Sequence, residues 1–342
     1  MRRWPAEWEH QSGVQLTWPH KEGDWARDFD DVEPVFLAIA DEIVKRERLL
    51  VVTQEPERVT ALLSAAGLAM DRIAIVAAPT NDTWARDHGA LTVFDEDRPR
   101  LLDFQFNGWG LKFPADRDNL ITRRLHEAGV FGDLPLETIR FVLEGGGVES
   151  DGEGTILTTA ECLLSPNRNA PMSRNEIEGV LRQFLGARHI LWLEHGYLAG
   201  DDTDSHIDTL ARFCDPHTIA YVACDDPADE HYGALAAMKR ELEALRCPDG
   251  MPYRLVPLPW PEACYDPVDG HRLPATYANF LIINGAVLMP IYGVRQDEEA
   301  VSVLQGLFPG REIVPINCEP LIRQHGSLHC VTMQFPEGVL RW

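Results

Sequence analysis

The feature that most constrains this chain is a device repeated along it: a polar or glycine-rich stretch that runs directly into an apolar strand. After an N-terminal strand it occurs five times, as NDTWARDHGALTVF, LEGGGVESDGEGTILTT, GDDTDSHIDTLARF, TYANFLIINGAVLMP and HGSLHCVTMQF. Self-similarity at a roughly fixed period marks an architecture assembled from repeated supersecondary units. With Asp87, Glu144, His206, Asn279 and Cys330 as markers, the spacings are 144 − 87 = 57, 206 − 144 = 62, 279 − 206 = 73 and 330 − 279 = 51 residues. Near-periodic but unequal spacing suits ββαβ-type modules with loops of different length. Placed around an axis, such modules bring their strand-end polar residues to one mouth. Polar turns also precede strands in any α/β protein, so spacing alone leaves a repeat and a coincidence equally open.

Amphipathic helical periodicity covers Val32 to Arg46, Glu57 to Ala66, Arg174 to Leu185 and His231 to Leu245. Between these lie short β-like runs, from Val14–Thr17 and Leu49–Thr53 through Thr155–Thr159 and Glu312–Ile316 to Cys330–Gln334. Alternation of this kind predicts α/β architecture. With no break in composition along the chain, residues 1–342 read as one domain.

The balance of 31 basic and 54 acidic residues gives a net charge of −23, which repels phosphate backbones and anionic lipid. Nucleic acid and membranes are therefore not expected partners, while a cationic substrate is compatible. Seven scattered cysteines with no CxxC pair predict reduced thiols and a cytoplasmic protein. The opening MRRWPAEWEHQSG has no signal-like apolar core, and no apolar run reaches the ~18 residues of a membrane span.

The segment GDDTDSHID, residues 200–208, is the richest in chemistry. On a strand, residues two apart share a face, so His206 and Asp208 are expected side by side with Ile207 turned to an apolar side. A base beside an anion suits proton transfer, a metal site or a buried structural pair. No HExxH motif or second histidine at ligand spacing follows, which disfavours metal. Cys330, at a strand start after a Gly326-Ser327 turn, becomes a nucleophile if His206 or a bound cation favours its thiolate, and otherwise is inert packing. His329 alternates to the other face.

Asp87, in WARDHG, can accept two parallel N–H bonds from a planar guanidinium, with Trp84 stacked on the cation's face. The plainer alternative is an ion pair with Arg86 beside a core tryptophan. Glu144 opens EGGG, whose glycines allow close backbone approach but lack the Lys-Ser/Thr of a phosphate loop. Trp109, in FNGWG, either closes over a substrate or packs.

Taken in order, NDTWARDHG, FNGWGLKF, EGGG with DGEGTILTTAECLLSPNRN, GDDTDSHID and GSLHC resemble the agmatine deiminases and related bacterial peptidylarginine deiminases of the guanidine-modifying, or pentein, superfamily. The resemblance spans nearly the whole chain, starting at Thr17-Trp-Pro19. It implies a five-bladed α/β propeller of ββαβ modules about a pseudo-fivefold axis, in a single catalytic domain without metal or organic cofactor. It also implies Cys330 as nucleophile, His206 as proton shuttle, Asp87 and Asp208 as guanidinium ligands, Glu144 as a supporting carboxylate and Asn279 as a weaker fourth-module candidate. Two departures concern the substrate's tail. Asp202 stands where a glutamate is usual four residues before the histidine, and Ile207-Asp208-Thr209 replaces the more usual Val-Asp-Asn.

The expected reaction is hydrolysis of agmatine to N-carbamoylputrescine and ammonia, with Asp202 or another acidic group meeting the distal amine. Peptidyl-arginine or free arginine, an amidinotransferase that admits an amine in place of water, and a non-catalytic guanidinium or polyamine binder are the alternatives. Oligomeric state stays open, a homo-oligomer included.

Overall fold

The computed structural model describes residues 2–342. Its strands are β1 (Arg2–Arg3), β2 (Gln11–Thr17), β3 (Arg48–Thr53), β4 (Ile73–Ala77), β5 (Leu91–Asp95), β6 (Arg98–Gln105), β7 (Leu136–Val142), β8 (Val148–Ser150), β9 (Thr155–Thr159), β10 (His189–Leu193), β11 (Ala211–Asp215), β12 (Thr218–Val222), β13 (Arg254–Leu258), β14 (Leu281–Ile283), β15 (Ala286–Ile291), β16 (Glu312–Asn317) and β17 (Thr332–Pro336). They form five small sheets, in the orders β1-β5-β6-β7, β10-β9-β8, β11-β12-β13, β14-β15-β16 and β17-β2-β3-β4.

One pattern repeats in all five. An antiparallel pair (β5/β6, β8/β9, β11/β12, β14/β15, β17/β2) is followed by a strand parallel to its second member (β7, β10, β13, β16, β3). A parallel neighbour needs a crossover, and the amphipathic segments supply it. Helix Tyr232–Ala244 lies between β12 and β13, Asp297–Leu307 between β15 and β16, Arg174–Leu185 between β9 and β10, and Phe29–Val44 between β2 and β3. The fifth sheet pairs β17 with β2, so the two ends of the chain are stitched into one unit.

The helix at Arg174–Leu185 has the expected bounds because its stops are local. Ser173 and Glu176 form a capping box, and Gly186 ends the helix at φ 71°. Within β3 the stretch Leu49–Val52 is apolar without a break because both of its faces are covered. Leu49 and Val51 enter one core cluster with helix Phe29–Val44, while Leu50 and Val52 enter a second with Met333 and Phe335 of β17. All seven cysteines are unpaired thiols. Among the described residues, no helix is long and apolar enough to cross a membrane.

Candidate active site

The turn that leads into the first strand of each antiparallel pair carries one of the marker residues: Asp87 before β5, Glu144 before β8, His206 and Asp208 before β11, Asn279 before β14 and Cys330 before β17. Short contacts join the five turns. The Arg86 N–H donates to the Cys330 carbonyl at 3.1 Å, and the Gly146 N–H donates to Asp87 Oδ1 at 3.0 Å. Asn279 Nδ2 donates to the Asp208 carbonyl at 3.4 Å. Its Oδ1 accepts from the N–H groups of His329 and Cys330 at 2.9 and 3.3 Å and from Cys330 Sγ at 3.4 Å.

The local backbone differs from the strand expectation at two of these turns. Ile207–Thr209 is a single 3₁₀ turn, with β11 starting only at Ala211, and Cys330 lies in a turn two residues before Thr332. Side chains supply the competing bonds. Asp201 accepts from the N–H groups of Thr203 at 3.2 Å and Ser205 at 2.8 Å, Thr209 Oγ1 donates to the His206 carbonyl at 2.8 Å, and Asp204 and Ser205 take φ of 64° and 60°. Asp87 sits in the one-turn helix Ala85–His88, and Arg86 pairs with Glu7 at 3.8 Å instead of with Asp87.

His206 and Asp208 nonetheless face a common neighbour. A Cβ built on Gly146 would lie 2.6 Å from His206 Nδ1, 2.9 Å from Asp87 Oδ1 and 3.1 Å from Asp208 Oδ2. Three side-chain ends therefore crowd around the second glycine of EGGG, and a side chain there would push them apart. His206 Nδ1 is 3.6 Å from Asp87 Oδ1, and Nε2 is 3.9 Å from Glu144 Oε2.

Burial of these groups sets their charge. Burial by itself would discharge His206, but Asp87, Cys162 and Glu144 outweigh it and hold its pKa well above the ordinary value. Burial raises Asp87. Burial also pushes Asp208 and Glu144 upward, yet His329, His206 and Arg212 bring Asp208 below the usual range, and His206 and Arg168 do the same for Glu144. Burial, then the negative Asp208 and Asp87, drive the Cys330 thiol well above its normal pKa. A cation seated between those two carboxylates reverses that last effect.

Arg168 was not singled out by sequence. Its Nε donates to Glu144 Oε1 and Oε2 at 3.0 and 2.8 Å, one terminal nitrogen to Asp204 Oδ2 at 2.6 Å and the other to the Thr203 carbonyl at 2.8 Å. Its side chain and that of Glu144 are both fully buried. Removing one member of such a pair strands the other charge, so Arg168→Met should destabilise the fold by about 3–5 kcal/mol in urea unfolding. A loss below about 1 kcal/mol would mean Glu144 is compensated elsewhere.

Glu144, Cys162 and His206 each offer a ligand atom within 4.8 Å of the others. Because Arg168 already occupies both oxygens of Glu144, a metal ion there would face a guanidinium, and the trio does not suit a metal centre.

Trp109 caps the group. Its indole N–H donates to Asp87 Oδ2 at 2.9 Å. The residue takes φ 53° and ψ 51°, a conformation costing a side-chain-bearing residue of order 1–3 kcal/mol and found where the surroundings impose it. Gly108 makes the turn possible, since a Cβ there would lie 2.1 Å from the Phe113 carbonyl oxygen.

Beside these groups opens a cavity of about 320 Å³. Cys330, Asp87, Trp84, Trp109 and Asp202 all line it, with Asp24, Asp82, Phe113, Pro114, Thr203, Gln324, His325 and Gly326. Trp84 is held by its N–H on Asp82 Oδ2 at 2.8 Å, and Gly326 is required beneath its ring, where a Cβ would approach to 2.2 Å. Burial pushes Asp82 and Asp202 up to about 6. Asp24 and Gln324 lie outside the recurring motifs and carry no sequence signal, while Asp82 and His325 lie inside NDTWARDHG and HGSLHC without a residue pattern that marks them as lining a cavity.

The sequence profile of the Porphyromonas-type peptidyl-arginine deiminase family matches residues 3–336. Agmatine deiminase from Pseudomonas aeruginosa (strain LESB58) is 34% identical over 98% of this chain and 95% of its own length. A crystal structure from Porphyromonas gingivalis, described as a candidate arginine deiminase, superposes with TM-score 0.95 at 56% identity, covering 100% of both chains. A Cys-to-Ser variant of C. jejuni agmatine deiminase with substrate bound superposes with TM-score 0.92 at 34% identity, covering 100% of this chain and 98% of that one. The structure of a Cys-to-Ser mutant of DDAH from Pseudomonas aeruginosa, complexed with citrulline, shares the fold at TM-score 0.51 and 11% identity, over 95% of this chain and 100% of that one.

Proposed function

The chain belongs to the Porphyromonas-type peptidyl-arginine deiminase family, and from that premise we propose that it is an agmatine deiminase, hydrolysing the guanidinium of agmatine to N-carbamoylputrescine and ammonia. One observation carries the choice of substrate: four carboxylates (Asp24, Asp82, Asp87 and Asp202) line the cavity, and among the described residues no lysine or arginine does. A tail ending in an ammonium is attracted there. The α-carboxylate of free arginine would meet mostly like charge, because Lys112 beside the cavity is already engaged by the Asp202 carbonyl and Asp204, and His325 is the cavity's other basic side chain. The strong likeness to a candidate arginine deiminase favours free arginine as the second reading.

In this reading Asp87 and Asp208 grip the guanidinium N–H groups and hold its carbon toward Cys330 Sγ. The bound cation between two anions lowers the thiol's pKa, offsetting the burial that keeps it protonated in the empty site. The thiol proton passes to solvent water, since His206 is already protonated, and a C–S bond forms as the thiolate adds. His206, charged because of Asp87, Cys162 and Glu144, gives its proton to the departing nitrogen, and the C–N bond breaks to release ammonia. Neutral His206 then takes a proton from water, which attacks the S-alkylthiouronium carbon. The C–S bond breaks, leaving the ureido product and free thiol. The sequence of steps uses neither metal nor organic cofactor. The neutral urea no longer compensates the two buried anions, which favours its departure.

Asp202, with Trp84 and Trp109 flanking the entrance, is the proposed partner of the distal amine. Since burial raises its pKa to about 6, it is charged above that pH and neutral below it. The KM for agmatine should therefore climb as pH falls through about 6, and Asp202→Asn should raise KM roughly tenfold at pH 7.5 and flatten that climb. Ammonia release from agmatine, arginine and a peptidyl-arginine, measured side by side, tests the substrate. Faster turnover of arginine than of agmatine would defeat the proposal.

We propose further that the five sheets are blades of a pseudo-fivefold propeller and that residues 1–342 make one catalytic domain. The recurring strand pattern and the likeness to the DDAH fold support this. A cytoplasmic setting fits seven unpaired thiols. Nucleic acid and membrane partners fit poorly with a net charge of −23.

A further inference from the structure

We propose that His329, backed by Glu7, is a positioning residue that holds Asp208 by one carboxylate oxygen so that its other oxygen stays turned to the guanidinium. This rests on the reading of Asp208 as a guanidinium ligand.

His329 does not line the cavity that Cys330 lines, yet it is buried and bonded on both ring nitrogens. Nδ1 lies 2.7 Å from Asp208 Oδ2, and Nε2 lies 2.7 Å from Glu7 Oε2. An ionised carboxylate has no proton to give, so Nδ1 is the donor in the first contact. Asp208 Oδ1, in contrast, is buried with no hydrogen-bond partner among the described residues. A buried carboxylate with one oxygen fixed and one bare is poised to receive a donor from outside the protein. A guanidinium N–H is such a donor.

Glu7 is itself held from several directions. Its Oε1 accepts from the Ile282 N–H at 2.7 Å, and its Oε2 accepts from Arg212 at 3.0 Å and stands 3.8 Å from Arg86. Arg212 also donates to the carbonyls of Ala278 and Phe280, at 3.1 and 2.6 Å, and pairs with Glu149. The imidazole is therefore clamped, and its hydrogen bond fixes Asp208 in place, as outer partners do for ligating groups in other sites.

The charged and titratable groups facing Asp208 are His329, His206, Asp87, Arg86, Arg212 and Cys330, and those facing Glu7 are His329, Arg212, Arg86, Arg311, Glu47 and Glu149. Burial drives Asp208 upward, and His329 is the largest influence opposing it. Removing His329 raises the Asp208 pKa. Because the charged form binds the cation, the acid limb of kcat/KM moves to higher pH.

Three variants test this: His329→Leu, His329→Asn and Glu7→Gln. Leucine removes the donor, and KM for agmatine should rise about 100-fold while kcat falls less than about tenfold. Asparagine keeps an amide N–H near the Nδ1 position and should recover most of the loss. Glu7→Gln should give an intermediate KM. A residue that merely supported the fold would instead lower the amount of active enzyme at unchanged KM and acid limb. Wild-type KM in folded His329→Leu, or no advantage of asparagine over leucine, overturns the proposal. If the leucine variant does not fold, the other two carry the test.

Carbon-13 titration of the Asp208 carboxyl, assigned with Asp208→Asn, needs no turnover. It should move upward in His329→Asn and further in His329→Leu, and an unmoved titration overturns the proposal. Wild-type protein that releases no ammonia from any guanidinium would defeat the proposed function instead, leaving this titration to decide the role of His329.

Discussion

The Cys330→Ser protein is expected to release no ammonia above background, a fall on the order of 10⁴-fold or more, while folding as the wild type does. A serine hydroxyl at this position still reaches Asn279 Oδ1, which already accepts from the Cys330 sulfur at 3.4 Å and from the backbone N–H groups of residues 329 and 330. The turn is thus retained. What disappears is a group that a neighbouring cation can ionise near neutral pH, since an alcohol lies far beyond that reach. Agmatine should still bind. At 100 times its Kd it should stabilise the variant by about 2.7 kcal/mol, visible as a rise in Tm. Equal ammonia release by variant and wild type would end the thiol mechanism. Stabilisation of both proteins with turnover by neither would instead identify a binder of guanidinium compounds.

The second large effect is geometric. Gly146→Ala places a methyl 2.6 Å from His206 Nδ1, 2.9 Å from Asp87 Oδ1 and 3.1 Å from Asp208 Oδ2, so all three groups must move apart. These are ends of side chains and not backbone, and the main-chain N–H that donates to Asp87 Oδ1 at 3.0 Å is kept. The protein should therefore fold, with the geometry of attack lost. A misplacement approaching 1 Å costs about 100-fold in rate, and kcat/KM for agmatine should fall by about that much with little change in Tm. Wild-type kinetics in this variant would show that the three side chains do not act around residue 146. The neighbouring Gly145 is a different case, because its Cβ would lie 2.3 Å from the Arg86 carbonyl oxygen, and alanine there strains the backbone itself.

Much of the secondary structure was legible because its signals are local. Helix Arg174–Leu185 is bounded by its own capping box and by Gly186, and β9 at Thr155–Thr159 by the glycines before it. Strand β7, LETIRFV, was not foreseen even though exposed Thr138 and Arg140 alternate with buried Ile139 and Phe141, an alternation only a few residues long after a half-buried Leu136 and Glu137. Helix Asp297–Leu307 was missed as well, its apolar face being short, with Ala300 and Leu304 its buried residues. The site shows the same division. Asp87, Glu144, His206, Asp208, Asn279 and Cys330 stood out because each occupies a polar turn before an apolar strand. Their contacts did not, and the assignment of His206 and Asp208 to a strand face failed because Asp201, Thr209 and the left-handed Asp204 and Ser205 draw that segment into a 3₁₀ turn.

The acidic, cation-compatible character of the chain, and the residue types at the five strand entrances, can be read from the sequence alone, whereas a true repeat and a chance recurrence are told apart only by the strand pairings. The readable features follow from turn chemistry and charge, which act over a few residues or over the chain as a whole. Only the tertiary structure decided which of these groups share an oxygen or a clash. Residue 329 does not line the cavity, and its partners Asp208 and Glu7 lie 121 and 322 positions distant. No local pattern encodes a contact of that span, because it exists only once packing has excluded water and the buried carboxylates must find donors within the protein.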